Sequence, residues 1–128
     1  MKSPRVFLLA GALFGAAGVC LGAWGAHGLS SYLGNSDTGA WDTAVLYQLV
    51  HALGLLVIGA LLRGRPHSLS LVCAGYAMMI GIVLFSGSIY GLVLGAPRWL
   101  GPVTPLGGAS FILAWMLLAV SAWRWPSQ

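Results

Sequence analysis

The sequence predicts an all-α integral membrane protein, a bundle of four transmembrane helices connected in up-down-up-down order. Charged residues make up only 6% of the chain, whereas hydrophobic residues make up 59% and the mean hydropathy is +0.89. Charged residues form about a quarter of a typical soluble domain, so this chain lacks the polar surface that water requires. Since four uncharged runs each reach the ~20 residues of a spanning helix, we expect a single membrane domain over residues 1–128.

The uncharged runs place the helices along the chain. They lead us to expect helices at about 6–27, 40–62, 69–95 and 104–124. The connections RGRPHS and PRWLGPV, after the second and third helices, are short. Short connections make consecutive helices antiparallel neighbours, which gives the up-down-up-down order. Thr104 followed by Pro105 is typical of a helix N-cap and a first-turn proline.

The first apolar run also has to be compared with a cleaved signal peptide. It is longer than the ~7–15 residues of a signal core, and Trp24 stands where a small residue would precede a cleavage site. We therefore expect the first helix to be retained.

Glycines recur on one face of the first helix at spacings of four and three residues. This is the period of a left-handed packing seam, and glycine there lets a neighbouring helix approach closely. A similar line is expected on the third helix. Chance clustering among the 19 glycines is the alternative. The helix-packing candidates are Gly11, Gly15, Gly18, Gly22 and Gly25 on the first helix, with Gly87, Gly91 and Gly95 on the third.

The distribution of basic residues predicts the orientation in the membrane. Five of the six Lys and Arg residues fall at places that a four-pass chain puts on one side. Because basic residues favour the cytoplasmic side, we expect both termini in the cytoplasm of a bacterial inner (plasma) membrane. The net charge of +4 then orients the protein, and we expect no nucleic-acid partner. The five are Lys2, Arg5, Arg63, Arg65 and Arg124, whereas Arg98, Asp37 and Asp42 fall on the other side.

Aromatic and cysteine residues give two local expectations. Trp41 is one of several aromatic residues placed where a helix meets the outer membrane surface, which predicts an interfacial position. Cys20 and Cys73 differ in depth by on the order of 10 Å at ~1.5 Å per residue. A disulfide needs Cα atoms within ~7 Å, so we expect two separate, buried thiols.

Polar side chains converge in the outer half of the predicted bundle. On a ~100° helical wheel, Tyr47, Gln48 and His51 share one arc, and Asp42 falls on the opposite face. Polar groups that faced lipid would lose their hydrogen bonds, so this arc is expected to point into the bundle. The full set of candidates for a ligand site or polar cluster is His51, Gln48, Tyr47, His27, Ser86, Ser88, Tyr90 and Thr104.

Two interpretations of this polar cluster stay open. It could bind a small ligand such as a quinone headgroup or relay a proton, or it could be an interhelical hydrogen-bond network that only fixes the bundle. His27 and His51 differ in depth, and no further Cys, His or acid lies near them to complete a metal or haem site. We therefore expect no metal, no cofactor and no catalytic residue.

Four blocks of sequence resemble a known family. They are GAHGL at 25–29, W-x-TAV-x-x-YQ-x-x-HALGLL at 41–56, FSGSIY at 85–90 and GPVTPLGG at 101–108. Together they are similar to the family catalogued as domain of unknown function 423, small bacterial membrane proteins related to the transmembrane protein 256-like proteins of eukaryotes. The resemblance implies a four-helix membrane protein. It lends no catalytic residues, because no activity is attached to the family.

These observations rank three functions. The first is an accessory or small-ligand-binding membrane subunit with a polar pocket in the outer half of the bundle, and an enzymatic activity is not favoured. The second is a structural membrane scaffold, and the third is a small transporter or a quinone-linked redox component. The expected partners are the lipid bilayer, a homo-oligomer or larger membrane complex, and a small hydrophobic ligand.

Overall fold

Four helices of membrane length account for most of the chain in the computed structural model, which describes residues 3–33 and 38–127. Each is long and apolar enough to cross a membrane, and the fold class is the predicted all-α bundle. Lys2 and Asp37, used in the orientation prediction, lie outside the described residues. The helices are α1 (Ser3–Leu29), α2 (Thr38–Gly64), α3 (Leu69–Val93) and α4 (Val103–Trp123).

Helices α2 and α3 form the centre of the bundle. Half of the spanning window of α2 is buried and 44% of that of α3, against 17% for each of α1 and α4. Helix α1 packs mainly along α2, and α4 packs mainly along α3. The outer helices therefore present most of their surface to lipid. The two ends of the bundle are called the Thr38 end and the Gly64 end, after the first and last residues of α2.

Glycines on α1 bring α2 close, as a small-residue seam would. An added Cβ at Gly11 would lie 2.8 Å from the Ala52 carbonyl oxygen. Gly15 differs from the rest, because its Cβ position has no atom within 4 Å. The glycines of the seam that touch α2 are Gly11, Gly18, Gly22 and Gly25, which face Ala52, Leu49, Val45 and Trp41.

The predicted glycine line on α3 was wrong. Gly87 and Gly95 have nothing within 4 Å of an added Cβ, and Gly95 instead takes a positive φ of 96° just after α3 ends. The close approach between α3 and α4 occurs at Gly107 on α4. A Cβ there would clash with the backbone of Phe85.

Helices α1 and α3 each contain a π-helical turn, over Gly25–Leu29 and Ile82–Ser86. In the second turn the Gly87 N–H donates to the Ile82 carbonyl, five residues back. Such a turn holds one residue more than an α-helical turn, so residues beyond it are rotated about the helix axis. The first turn coincides with the block GAHGL, and the second ends on the first two residues of FSGSIY. Neither turn is predicted by the sequence patterns above.

Three local predictions also need correction. Cys20 and Cys73 are free thiols, but both are exposed on the surface of the bundle rather than buried. Trp41 is only 1% exposed, because it packs between α1 and α3 instead of marking an interface. The N-cap of α4 is Pro102, so Thr104 lies inside the first turn of the helix.

Candidate functional site

Gln48 connects three helices near the Thr38 end. Its Nε2 donates to the Phe14 carbonyl of α1 at 2.9 Å, and its Oε1 accepts from the Tyr90 hydroxyl of α3 at 2.7 Å. The side chain is 3% exposed. In a low-dielectric surrounding a buried amide must find such partners inside the protein. Gln48 lies on the face of α2 that points into the bundle, and its side chain there reaches both α1 and α3.

Serine hydroxyls connect α3 to its two neighbours. Ser86, which is fully buried, donates to the Ala44 carbonyl of α2 at 2.7 Å. Ser88 lies 2.5 Å from the Thr104 hydroxyl of α4 and also donates to the Phe85 carbonyl at 3.0 Å. Every one of these groups is satisfied by the protein itself, which is the pattern of an interhelical network.

His51 is held at both ring nitrogens. Nδ1 lies 2.7 Å from the Tyr47 carbonyl, and Nε2 lies 3.0 Å from Nε1 of Trp115 on α4. An indole N–H can only donate, so Nε2 is the acceptor and Nδ1 carries the hydrogen that goes to Tyr47. The network thus assigns the neutral ring with Nδ1 protonated. A second proton, on Nε2, would point at the Trp115 N–H and break that bond.

The flat face of His51 is covered by Phe111 of α4. The two ring centroids are 3.5 Å apart and the planes are 12° from parallel. Phe111 can approach because Gly81 of α3 lies behind it, where an added Cβ would clash with the ring. Stacking and the Trp115 bond together fix the imidazole between α2 and α4.

Tyr47 stands apart from the rest of the cluster. The side chain was predicted to point into the bundle. It is 41% exposed, so it points into the bundle only in part. The ring packs edge-on against Phe85 with centroids 4.7 Å apart. Its hydroxyl makes no hydrogen bond within the described part of the chain. It borders a groove of about 580 Å³ lined by Tyr47, Val50, His51, Phe85, Pro105, Gly108, Ala109, Phe111, Ile112 and Trp115.

The structure thus divides the predicted candidates into separate groups. Gln48 pairs with Tyr90, Ser88 pairs with Thr104, and Ser86 binds backbone alone. His51 and Tyr47 belong to the groove between α2 and α4. His27 is exposed in the π-helical turn of α1 and takes no part in the hydrogen bonds of Gln48, His51 or Tyr90.

Sequence reasoning missed two tryptophans of this region. Trp41 donates from Nε1 to the Leu21 carbonyl at 2.9 Å, and Trp115 donates to His51. A usable signal existed for Trp115. Its indole N–H needs an acceptor, and it lies ~18 Å into α4, close to the ~20 Å depth of His51 in α2. Because α2 and α4 run in the same direction, these similar depths favour His51 as the acceptor for the Trp115 N–H.

Comparison with known proteins gives matches over most of the chain. The family described as "Protein of unknown function (DUF423)" matches residues 21–108, a range that holds all four sequence blocks. A UPF0382 membrane protein of Staphylococcus epidermidis is 44% identical over 117 residues, covering 91% of this chain and 94% of that protein. The UPF0382 membrane protein YwdK of Bacillus subtilis is 42% identical over 118 residues, or 92% and 96% of the two chains.

A more distant relative extends this agreement. A UPF0382 membrane protein of Staphylococcus aureus is 37% identical over 120 residues, which cover 94% of this chain and 97% of that protein. No solved structure matches the chain. The resemblance found in the sequence blocks is confirmed: the chain belongs to the DUF423 family of membrane proteins.

Proposed function

We propose that this small polytopic membrane protein is an accessory subunit that binds a small apolar molecule in the groove beside His51. The observation that carries the proposal is the Tyr47 hydroxyl, which borders the groove without a hydrogen-bond partner in the described part of the chain. A hydroxyl in hydrocarbon without a partner is unfavourable, so this donor favours a ligand that brings an acceptor.

The remaining polar groups support the groove without needing a ligand. Gln48, Ser86 and Ser88 are buried and bonded to protein atoms on neighbouring helices. His51 is bonded at both nitrogens and stacked on Phe111, so it fixes one wall of the groove. We assign these groups a positioning role and Tyr47 the ligand contact.

The lining of the groove indicates the chemistry of its ligand. Aromatic and aliphatic side chains form most of the surface, including Phe85, Phe111, Ile112 and Pro105. A planar apolar ring would pack against the phenylalanines, and a carbonyl on that ring would accept from Tyr47. A quinone headgroup has both features. The groove is open at the surface of the bundle, where Ile112 is 67% exposed, and quinones dissolve in the lipid that would surround it.

Tyr47→Phe is expected to weaken binding of a short-chain quinone about two- to tenfold, because one hydrogen bond of ~0.5–1.5 kcal/mol is lost. Binding can be measured on the purified full chain in detergent by quenching of tryptophan fluorescence. Tyr76→Phe is the matched control. Its side chain is 46% exposed, similar to that of Tyr47, but it lines a different groove.

A second variant separates binding from a scaffold role. Ala109→Phe places a ring in the groove from an exposed position and should abolish binding, whereas Ala119→Phe, exposed elsewhere on α4, should not. The specific observation that favours a scaffold is that the Gln48 and serine bonds are all internal. If quinone binds equally to the wild type and to both Tyr47→Phe and Ala109→Phe, the ligand proposal fails and the scaffold is preferred.

We also propose that the Gly64 end faces the cytoplasm, as do both termini. Arg63 and Arg65 lie at that end and Arg124 follows α4 there, whereas Arg98 lies at the Thr38 end. A reporter active only in the cytoplasm, fused after the last residue, should give signal. The same reporter inserted between Arg98 and Trp99 should be silent. The reverse pattern would contradict the orientation.

An accessory role requires another chain to contact this one. Only 17% of the spanning windows of α1 and α4 is buried, which leaves lateral surface for such a contact. Extraction from bacterial membranes in a mild detergent should then give a particle larger than one 13.3 kDa chain with its detergent. A particle with one chain only would contradict the accessory role. The proposed ligand site would still be tested separately by the Tyr47 and Ala109 variants.

A further inference from the structure

We infer that a groove at the Gly64 end, between α1 and α2, binds the phosphodiester headgroup of an anionic glycerophospholipid. This groove is separate from the one beside His51 and holds about 400 Å³. Two guanidinium groups and two leucine side chains meet in it. Its lining residues are Pro4, Arg5, Leu8, Leu9 and Arg63.

The two arginines come together because α1 begins on the surface of α2. An added Cβ at Gly59 would lie 2.8 Å from Cγ of Leu8 and 3.1 Å from the Pro4 carbonyl oxygen. Arg5 follows Pro4 directly. Arg63 lies about one helical turn after Gly59, on the same face of α2. Close packing at Gly59 therefore places both side chains at one site.

Neither arginine has a counterion within the described part of the chain. The one acid there is Asp42, in the first turns of α2, about 32 Å from Arg63 along the helix at ~1.5 Å per residue. Arg65, by contrast, donates to the Ser121 carbonyl at 3.2 Å and lies 4.9 Å from the Trp125 ring centroid. Arg5 and Arg63 thus leave two positive charges facing one groove, and no described residue supplies an anion to it.

The chemistry of the groove fits a lipid better than a free anion. A guanidinium donates two parallel hydrogen bonds to phosphate oxygens, a geometry that ammonium lacks. The groove also has an apolar floor, where Leu9 is 53% exposed and can pack against an acyl chain. Basic pockets between helices at a membrane surface recognise anionic headgroups in this way.

The test measures binding of phosphatidylglycerol to the full chain in detergent, with bound lipids counted by mass spectrometry of the intact complex. Arg5→Gln with Arg63→Gln should weaken binding about 25-fold at low salt, at about fivefold per arginine. Phosphatidylcholine should bind the wild type weakly. Glycerol phosphate, which has the anion without acyl chains, should not displace the lipid.

The matched control removes the same charge elsewhere. Arg98→Gln with Arg124→Gln replaces two exposed arginines outside the groove and should leave phosphatidylglycerol binding within about twofold of the wild type. Equal losses in the two double variants would show that net charge alone attracts the lipid, and no loss in the groove variant would show that the groove does not bind it. Displacement by glycerol phosphate would overturn the assignment to a lipid.

Discussion

Gly107→Ala is expected to destabilise the bundle by on the order of 3 kcal/mol, at the upper end of the range for overpacking. The added methyl group would clash with the backbone of Phe85, in the π-helical turn of α3. A flexible side chain can rotate away from a new methyl group, but a backbone segment held on both sides cannot. Helix α4 must then shift away from α3. Thermal unfolding of the purified protein in a mild detergent measures the effect.

The adjacent glycine supplies the control. At Gly108 the nearest atom to an added Cβ is Cδ2 of Phe85 at 3.9 Å, an ordinary van der Waals contact. Gly108→Ala should leave the unfolding midpoint unchanged or raise it slightly, since alanine favours the helix. Equal midpoints for the Gly107 and Gly108 variants would mean that α3 and α4 do not touch at the backbone.

Gln48→Leu is expected to cost up to about 3 kcal/mol, because it removes two interhelical bonds and leaves the Tyr90 hydroxyl without an acceptor. The Phe14 carbonyl keeps its own helical bond and loses only the second one. The side chains are similar in volume, so the cost is mainly polar. Unfolding in detergent again provides the measurement.

A double-mutant cycle tests this assignment. Tyr90→Phe in the Gln48→Leu background removes the unpaired hydroxyl, so the double variant should be more stable than Gln48→Leu alone. Tyr90→Phe in the wild type should instead destabilise, because it leaves Oε1 of Gln48 without its donor. Additive effects would show that the two side chains do not interact.

The number and approximate positions of the helices could be predicted from the sequence, because the cost of a charge in hydrocarbon is large. The polar arc on α2 also predicted correctly that Gln48 and His51 are buried, because polar groups in lipid need partners inside the protein. Tyr47 differed. A tyrosine has a large apolar ring as well as a hydroxyl, so the polarity of the residue alone does not decide whether its side chain points into the bundle.

The α3–α4 contact could not be predicted in the same way. A helical wheel assumes a constant ~100° per residue, but the π-helical turn adds a residue and rotates the rest of the helix beyond it. Gly87 and the glycines that follow it lie beyond this turn, so they face a different direction from the one that a regular helix predicts. The true contact depends on where Phe85 of one helix meets Gly107 of another. This contact depends on how two helices align with each other, so the periodicity of either helix alone does not predict it.

The mainly pairwise packing of α1 on α2 has a consequence for biosynthesis. Translation delivers this helical hairpin to the membrane before α3 exists, and its glycine contacts need nothing from the later helices. The bonds from Gln48 to Phe14 and from Trp41 to Leu21 lie within the hairpin as well. The nascent chain can therefore bond the Nε2 group of Gln48 as soon as the hairpin forms, and Oε1 of Gln48 gains its donor when Tyr90 arrives with α3.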